Sequence, residues 1–364
     1  MRLNPIVALG LLLGVLAANP GDAAGTPPNV LLIVADDMNT DLGVYGHPRV
    51  ETPNIDRLAA GGVTFTRAYA QYPQCNQSRS SFLTGRYPDQ TRALTLKEHF
   101  REALPDTVTL PQHFRDHGYF TARVGKIFHQ GVPNEIGEDG LDDPPSWDLA
   151  INPAGVDTRV DERIVTIVPP EHDRRRFGGT LSWLGLVSDE AHTDELVAAE
   201  AMRFLEQHHP QRTGKPFFLA LGFYRPHTPF VAPRRWYDRY PPETLELADV
   251  PPGDRENKPV AALADRPWQA EMSEAQKRAA IQGYYASISF VDEQVGKVLT
   301  ALETAGLALD RLVVFTSDPG YLLGALGLWQ KRDLFETSVR TPLVIAAPCR
   351  LVTGQVTDTL VELV

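Results

Sequence analysis

The run Asn29-Val-Leu-Leu-Ile-Val34 offers no side chain that a half-solvated sheet would turn outward. A strand that is apolar at nearly every position is buried on both faces, the condition of a parallel sheet covered by helices. Phe217-Phe-Leu-Ala-Leu-Gly-Phe223 and Leu312-Val-Val-Phe-Thr316 repeat the pattern, and Phe120-Thr-Ala-Arg-Val124 and Thr341-Pro-Leu-Val-Ile345 are predicted as further strands. Helices are predicted between them: from Thr52-Pro53-Asn54 to Gly61-Gly62, from Thr109 to His117 before Gly118, from Thr193 to Gln207 and from Glu274 to Leu302. Strands alternating with helices define an α/β fold with a mostly parallel central sheet and helices on both faces. Residues 130–190 and 240–270, rich in proline and polar residues, are expected to be irregular excursions of the kind that build functional surfaces.

The length, 364 residues, suits one large α/β domain or two smaller ones. A net charge of −11 gives no electrostatic reason to bind nucleic acid or an anionic membrane, although a local cationic pocket can still take an anionic substrate. Arg174-Arg175-Arg176 reads as a solvated loop. Residues 1–25 resemble a secretory signal peptide: Arg2, the apolar stretch Ile6 to Ala18, then the small residues around Gly21-Asp22-Ala23-Ala24. The apolar stretch is shorter than the ~20 residues that span a bilayer. The expected location is secreted or periplasmic, with no membrane attachment after cleavage. Two cysteines, Cys75 and Cys349, leave open one disulfide or a chemical role, and the surroundings of Cys75 favour chemistry. The last residues, Leu360-Val-Glu-Leu-Val364, read as the middle of a helix without a stop signal, so an early end is expected.

Polar residues follow the predicted strand ends: Asp36 and Asp37, Lys126, His227 and Asp318. Open α/β sheets gather ligands at the carboxyl ends of their strands, so one cleft is expected to collect them. Three carboxylates from separate strand ends are hard oxygen donors suited to Ca²⁺ or Mg²⁺. Ser80-Ser-Phe-Leu-Thr-Gly85 reads as a short helix closed by glycine, which puts Cys75 at or just before a helix N-terminus, where backbone N–H groups favour an anion. Arg79 would sit beside it, able to neutralise a charged ester.

Six ordered blocks carry a resemblance. They are Val30-Leu-Leu-Ile-Val-Ala-Asp-Asp37, Thr52-Pro-Asn-Ile-Asp-Arg-Leu58, Cys75-Asn-Gln-Ser-Arg-Ser-Ser-Phe-Leu-Thr-Gly-Arg86, Gly125-Lys-Ile-Phe-His129, Arg225-Pro-His-Thr-Pro229 and Gly327-Leu-Trp-Gln-Lys331. Together they resemble the type I, formylglycine-dependent sulfatases of the iduronate-2-sulfatase-like subgroup, from about residue 28 to the end. The resemblance implies an alkaline-phosphatase-like fold, with residues 26–364 forming the N-terminal catalytic domain and a smaller C-terminal subdomain missing. It implies a sulfuric ester hydrolase acting on a sulfated carbohydrate such as a glycosaminoglycan. Cys75 would be converted to formylglycine by a maturation enzyme. Asp36, Asp37, Asp318 and residue 75 would hold a divalent cation, Ca²⁺ or alternatively Mg²⁺. Arg79, Lys126 and His129 would hold the formylglycine hydroxyls, and His227 and Lys331 would grip the sulfate. One of these two would protonate the leaving alcohol, with His227 favoured by its intrinsic pKa.

The chain departs from that pattern in three places. Gln77 stands where the modification motif has Pro, Pro319 where relatives carry a His or Asn ligand, and Ala325-Leu326 where they often carry Glu-His. Two other readings therefore accompany the first: an impaired pseudo-sulfatase of the same fold, or a phosphate or phosphonate ester hydrolase of the same superfamily.

Overall fold

A computed structural model of the chain describes residues 27–172, 181–263, 268–348 and 350–364. The signal-like segment, Arg174 to Arg176 and Cys349 lie outside the described residues. The centre is an eight-stranded sheet, whose strands are β1 (Asn29–Asp36), β2 (Val63–Ala70), β3 (Phe120–Gly125), β4 (Leu149–Ile151), β5 (Phe217–Pro226), β6 (Arg311–Ser317), β7 (Arg340–Ala346) and β8 (Gln355–Leu363). Their spatial order is β8-β2-β7-β6-β1-β5-β3-β4. The block β6-β1-β5-β3-β4 is parallel throughout, while β7 runs antiparallel to both β6 and β2. The sheet is therefore mostly parallel, as the uninterrupted apolar runs require.

Alternate residues of β1 enter different cores. Leu31, Ile33 and Ala35 pack with α1 (Pro53–Ala60), α4 (Thr193–Gln207) and α5 (Glu274–Thr304), through Ile55, Val197, Ala201, Ile288 and Val295. Val30, Leu32 and Val34 pack on the other face with Leu83 of α2 (Cys75–Thr84), Phe114 of α3 (Leu110–Asp116), Phe128 and Trp147. Burial of both faces is what leaves no polar position between Val30 and Ala35. The expected excursion between 130 and 190 holds β4, which extends the main sheet, and Val165–Thr166 and Ser182–Leu186, which form a separate three-stranded sheet with Phe230–Pro233.

The end of the chain corrects one expectation. Residues 355–363 form a strand, not a helix, paired in parallel with β2. Val361 and Leu363 turn toward Phe82 and Leu343, while Leu360 and Glu362 are exposed. That is a period of two, which five residues read alone are too few to distinguish from a helical face.

The 31-residue α5 opens with a reciprocal cap: Ser273 Oγ accepts from Gln276 N at 3.3 Å, and Gln276 Oε1 accepts from Ser273 N at 2.9 Å. Mid-helix, buried Asp292 caps a different helix. Its carboxylate accepts from Asn54 N (3.1 Å), Ile55 N (2.8 Å) and Asn54 Nδ2 (2.8 Å) at the start of α1. Asp292→Ala is expected to cost about 2–3 kcal/mol, because it strands these donors in a buried joint. Urea unfolding of the two proteins measures the difference.

Candidate active site

The site forms where β1, β3, β5 and β6 end. β1 finishes at Asp36, and Asp37 follows with φ +65°. Aspartate tolerates this left-handed conformation better than most residues, and here three bonds fix it. Asp37 N donates to Asp318 Oδ1 (2.9 Å), Asp37 O accepts from Tyr284 OH of α5 (2.7 Å), and the next amide, Met38 N, donates to Ser317 Oγ (2.8 Å). The turn therefore directs the Asp36 and Asp37 carboxylates into one buried pocket beside Asp318.

Helix α2 faces these carboxylates. It begins at Cys75 and ends at Gly85, whose φ is +66°. Positions 75, 78 and 79 share one helical face. Cys75 Sγ lies 3.5 Å from Asp36 Oδ1 and 3.7 Å from Asp37 Oδ1, and Ser78 Oγ donates to Asp318 O at 2.7 Å. Arg79 is fully buried and spends its whole fork there: Nε to Asp318 Oδ2 at 2.8 Å, Nη2 to Asp36 Oδ1 at 3.3 Å, and Nη1 to the carbonyls of Lys126 (2.5 Å) and Ile127 (2.9 Å).

Lys126 arrives through the close meeting of two glycines. Gly125 has φ +74°, and a Cβ on Gly222 of β5 would overlap the Lys126 backbone, whose N donates to Gly222 O at 3.0 Å. This approach brings Lys126 Nζ to 2.5 Å from Asp36 Oδ2. Gly222→Ala is expected to push the Lys126 segment away and to cost about 2–4 kcal/mol, the scale of a forced core overlap. A thermal melt and loss of the Lys126–Asp36 contact in a crystal structure check it.

Lys331 Nζ donates to Asp37 Oδ1 and lies 2.9 Å from Cys75 Sγ. His227 follows β5, with Nδ1 2.5 Å from Thr228 O and Nε2 3.6 Å from Asp37 Oδ2. His129 is buried close enough to feel Lys126, Asp36 and Arg79, and its Nδ1 has no hydrogen-bond partner. Eight of the nine expected side chains, at 36, 37, 75, 79, 126, 227, 318 and 331, thus converge directly, with the ninth, His129, at their margin.

Burial shapes the electrostatics. It pushes the Asp37 carboxyl up to about 7 against the pull of Lys331, and raises Asp318 against the pull of Arg79. Burial also acts on Asp36, but Lys126, His227, Arg79 and Lys331 outweigh it and hold that carboxyl well below the usual range. The Cys75 thiol is pushed well up by burial and by Asp318 and Asp36. Lys331, though desolvated, is held protonated by Asp37 and Cys75, and burial drives His227 and His129 well down. Three carboxylates face three cations, Arg79, Lys126 and Lys331.

A divalent cation fits this donor set. Single ligand atoms of Asp36, Asp37, Cys75 and Asp318 lie within 4.8 Å of one another, and buried Asp37 Oδ2 makes no hydrogen bond.

Sequence reasoning missed the frame behind His227. Buried Arg225 donates to Asp157 Oδ2 (2.9 Å), Val231 O (2.9 Å) and His227 O (3.3 Å), and Asp194 accepts from Tyr224 N (2.8 Å) and Arg225 N (3.0 Å). No local signal marks Asp157, which is 68 residues from Arg225. The three departures are accommodated. Gln77 is buried, donating to Gln74 Oε1 (3.0 Å) and Leu94 O (2.8 Å), while its own Oε1 has no partner. Pro319 O accepts from Ser317 Oγ at 3.1 Å, and Leu326 takes φ +57° in a short 3₁₀ turn.

A charged pocket at the carboxyl ends of a mostly parallel sheet, with a cysteine on the first turn of a helix, occupies the place where open α/β folds bind their ligands. The family model for sulfatases matches residues 28–364, and the chain belongs to the sulfatase family. It is similar to mouse (Mus musculus) iduronate 2-sulfatase, 35% identical over 350 residues that cover 92% of this chain and 62% of that protein. A sulfatase of Formosa agariphila is 32% identical over 354 residues, covering 92% of this chain and 67% of its own. Among solved structures, a phosphonate monoester hydrolase of Agrobacterium radiobacter has the same fold, with a TM-score of 0.68 at 24% identity, covering 92% of this chain and 71% of that one. The chain spans about three fifths of the length of the iduronate 2-sulfatases it matches. No described helix is long and apolar enough to cross a membrane.

Proposed function

We propose that this chain is the catalytic part of a sulfuric ester hydrolase that removes sulfate from a sulfated carbohydrate. The observation that carries the proposal is the convergence of Cys75, on the first turn of α2, with three buried carboxylates and three buried or half-buried cations. The match to iduronate 2-sulfatase supports a carbohydrate alcohol sulfate rather than an aryl sulfate.

Formylglycine made from Cys75 by a maturation enzyme would supply a hydrated aldehyde as nucleophile. Asp36, Asp37, Asp318 and residue 75 would hold a divalent cation, preferably Ca²⁺, which as a Lewis acid polarises the sulfate. The chain's own residues do the rest. Arg79 locks Asp36 and Asp318 in place through its fork. Lys126, on the Asp36 carboxylate, and His129 near it would steady the hydroxyls of the modified residue 75. Lys331 and His227 line the side of Asp37 and receive the sulfate oxygens. Intrinsic pKa favours His227 as proton donor, but burial lowers it and its Nδ1 is committed to Thr228 O. Lys331, kept protonated at Nζ, is the group with a proton to give to the leaving alcohol.

The signal-like segment at residues 1–25 supports a secreted or periplasmic location. The test is sulfate release, by ion chromatography, from a panel of sulfated saccharides after co-expression with the maturation enzyme. Release from alcohol sulfates on sugars is expected, and a blank panel would sink the reading in favour of an impaired pseudo-sulfatase. Conversion itself is visible as a loss of about 18 Da in the Cys75 peptide relative to the thiol. Pro319→His is expected to tighten Ca²⁺ binding, by roughly tenfold, because it restores a donor beside Asp318. Calorimetry showing equal affinity would count against that.

A further inference from the structure

The pocket holds two overlapping donor sets. One is the oxygen-rich set of Asp36, Asp37 and Asp318 with residue 75. The other is Asp36, Cys75 and His227, whose carboxylate oxygen, thiol sulfur and imidazole nitrogen also lie within 4.8 Å of one another. The two sets suit different ions. Ca²⁺ takes six to eight oxygen ligands and has little affinity for sulfur. Carboxylate, thiolate and imidazole together are borderline donors that suit Zn²⁺ at a four-coordinate site.

Two features make the second set more than a chance cluster. Cys75 Sγ stands 3.5 Å from Asp36 Oδ1. Tetrahedral bonds of about 2.3 Å to sulfur and about 2.0 Å to oxygen put those donors roughly 3.5 Å apart. His227 is also arranged as metal-binding histidines are. Its Nδ1 lies 2.5 Å from the Thr228 carbonyl, so Nδ1 carries the proton and Nε2 presents its lone pair. Nε2 faces the pocket at 3.6 Å from Asp37 Oδ2, itself buried and without a hydrogen bond. The bonds of Arg225 to Asp157 and to the His227 carbonyl hold this turn in place.

We infer that, while residue 75 remains a cysteine, this chain binds one Zn²⁺ through Asp36, Cys75 and His227, and that conversion of Cys75 switches the pocket to an oxygen-ligated ion. Binding releases the thiol proton to solvent and leaves the fourth position to water. Arg79 and Lys126 stay on the Asp36 carboxylate, and Lys331 stays beside the thiolate. Gln77, in place of the proline of the modification motif, favours persistence of the thiol form. The inference rests on the same pocket as the proposed function but not on its reaction.

The experiment uses the full chain expressed without a maturation enzyme, with the thiol at residue 75 verified by mass, and Co²⁺ as the spectroscopic probe for Zn²⁺. One equivalent of Co²⁺ is expected to give a near-ultraviolet sulfur-to-cobalt charge-transfer band, bleached by Zn²⁺ and unaffected by excess Ca²⁺. Cys75→Ser is expected to lose the band and to weaken Zn²⁺ binding at least ~100-fold, and His227→Gln to weaken it at least ~10-fold. X-ray absorption of the zinc-loaded wild-type chain, which needs no variant to fold, is expected to show one sulfur and imidazole scattering. Absence of the cobalt band, or a zinc shell of oxygen alone, overturns the inference. Failure of the sulfatase reading looks different: the cobalt band persists while the matured protein releases no sulfate.

Discussion

Arg79→Ala is expected to lower folding stability by about 3–5 kcal/mol, the cost of removing one partner from a buried ion pair. The guanidinium serves four acceptors from three segments: Asp36 on β1, Asp318 after β6, and the carbonyls of Lys126 and Ile127. Its removal leaves Asp318 without its principal counter-charge and two carbonyls without a donor. Domains are stable by only about 5–15 kcal/mol, so the loss is a large share of the total. Urea unfolding measures it. Arg79→Lys keeps the charge but not the fork, and an intermediate loss is expected, because an ammonium cannot reach both carboxylates and both carbonyls in this geometry. A near-neutral Arg79→Ala would mean that the pocket's charges are not organised around this residue.

Lys331→Ala is expected to cut the rate of sulfate release by at least ~1000-fold, with kcat falling more than KM rises. The ammonium contacts both Asp37 and Cys75, and in the proposed function it meets the sulfate and gives the leaving oxygen its proton. Removing a group that stabilises charge and transfers a proton forfeits about 10²–10³-fold for the first role and about 10²–10⁴-fold for the second. The split between kcat and KM distinguishes this from simple loss of substrate binding. Lys331→Arg keeps the charge on a longer, planar head that does not lose its proton, so little rescue is expected.

The sheet was legible because its central strands are almost wholly apolar: Val30 to Val34 needs no neighbour to declare that both its faces are buried. The helix at Cys75 was legible from Gly85, whose left-handed φ closes it, and the cleft from the polar residues that follow each strand. What stayed hidden is tertiary. β2 carries Thr64, Thr66 and Arg67 among its apolar residues and is fixed by pairing with β7 and β8, from opposite ends of the sequence. β8 lay too near the end of the chain for its period to show. Asp157 and Asp194 sit in irregular or helical stretches with nothing local to mark them, yet they hold the turn at His227 through Arg225. Asp292, an acid in the middle of a long helix, reads as an exposed position until α1 is seen packed against it.

In the proposed function, the convergence at residue 75 is a sulfate-ester site. The direct measurement is sulfate released from a panel of sulfated saccharides by the chain co-expressed with a formylglycine-generating enzyme, in Ca²⁺, beside Cys75→Ala prepared identically. Multiple turnovers are expected of the first protein, with the Cys75 peptide about 18 Da lighter, and none of the second. Equal release by both proteins, or none from a fully converted chain, would contradict it.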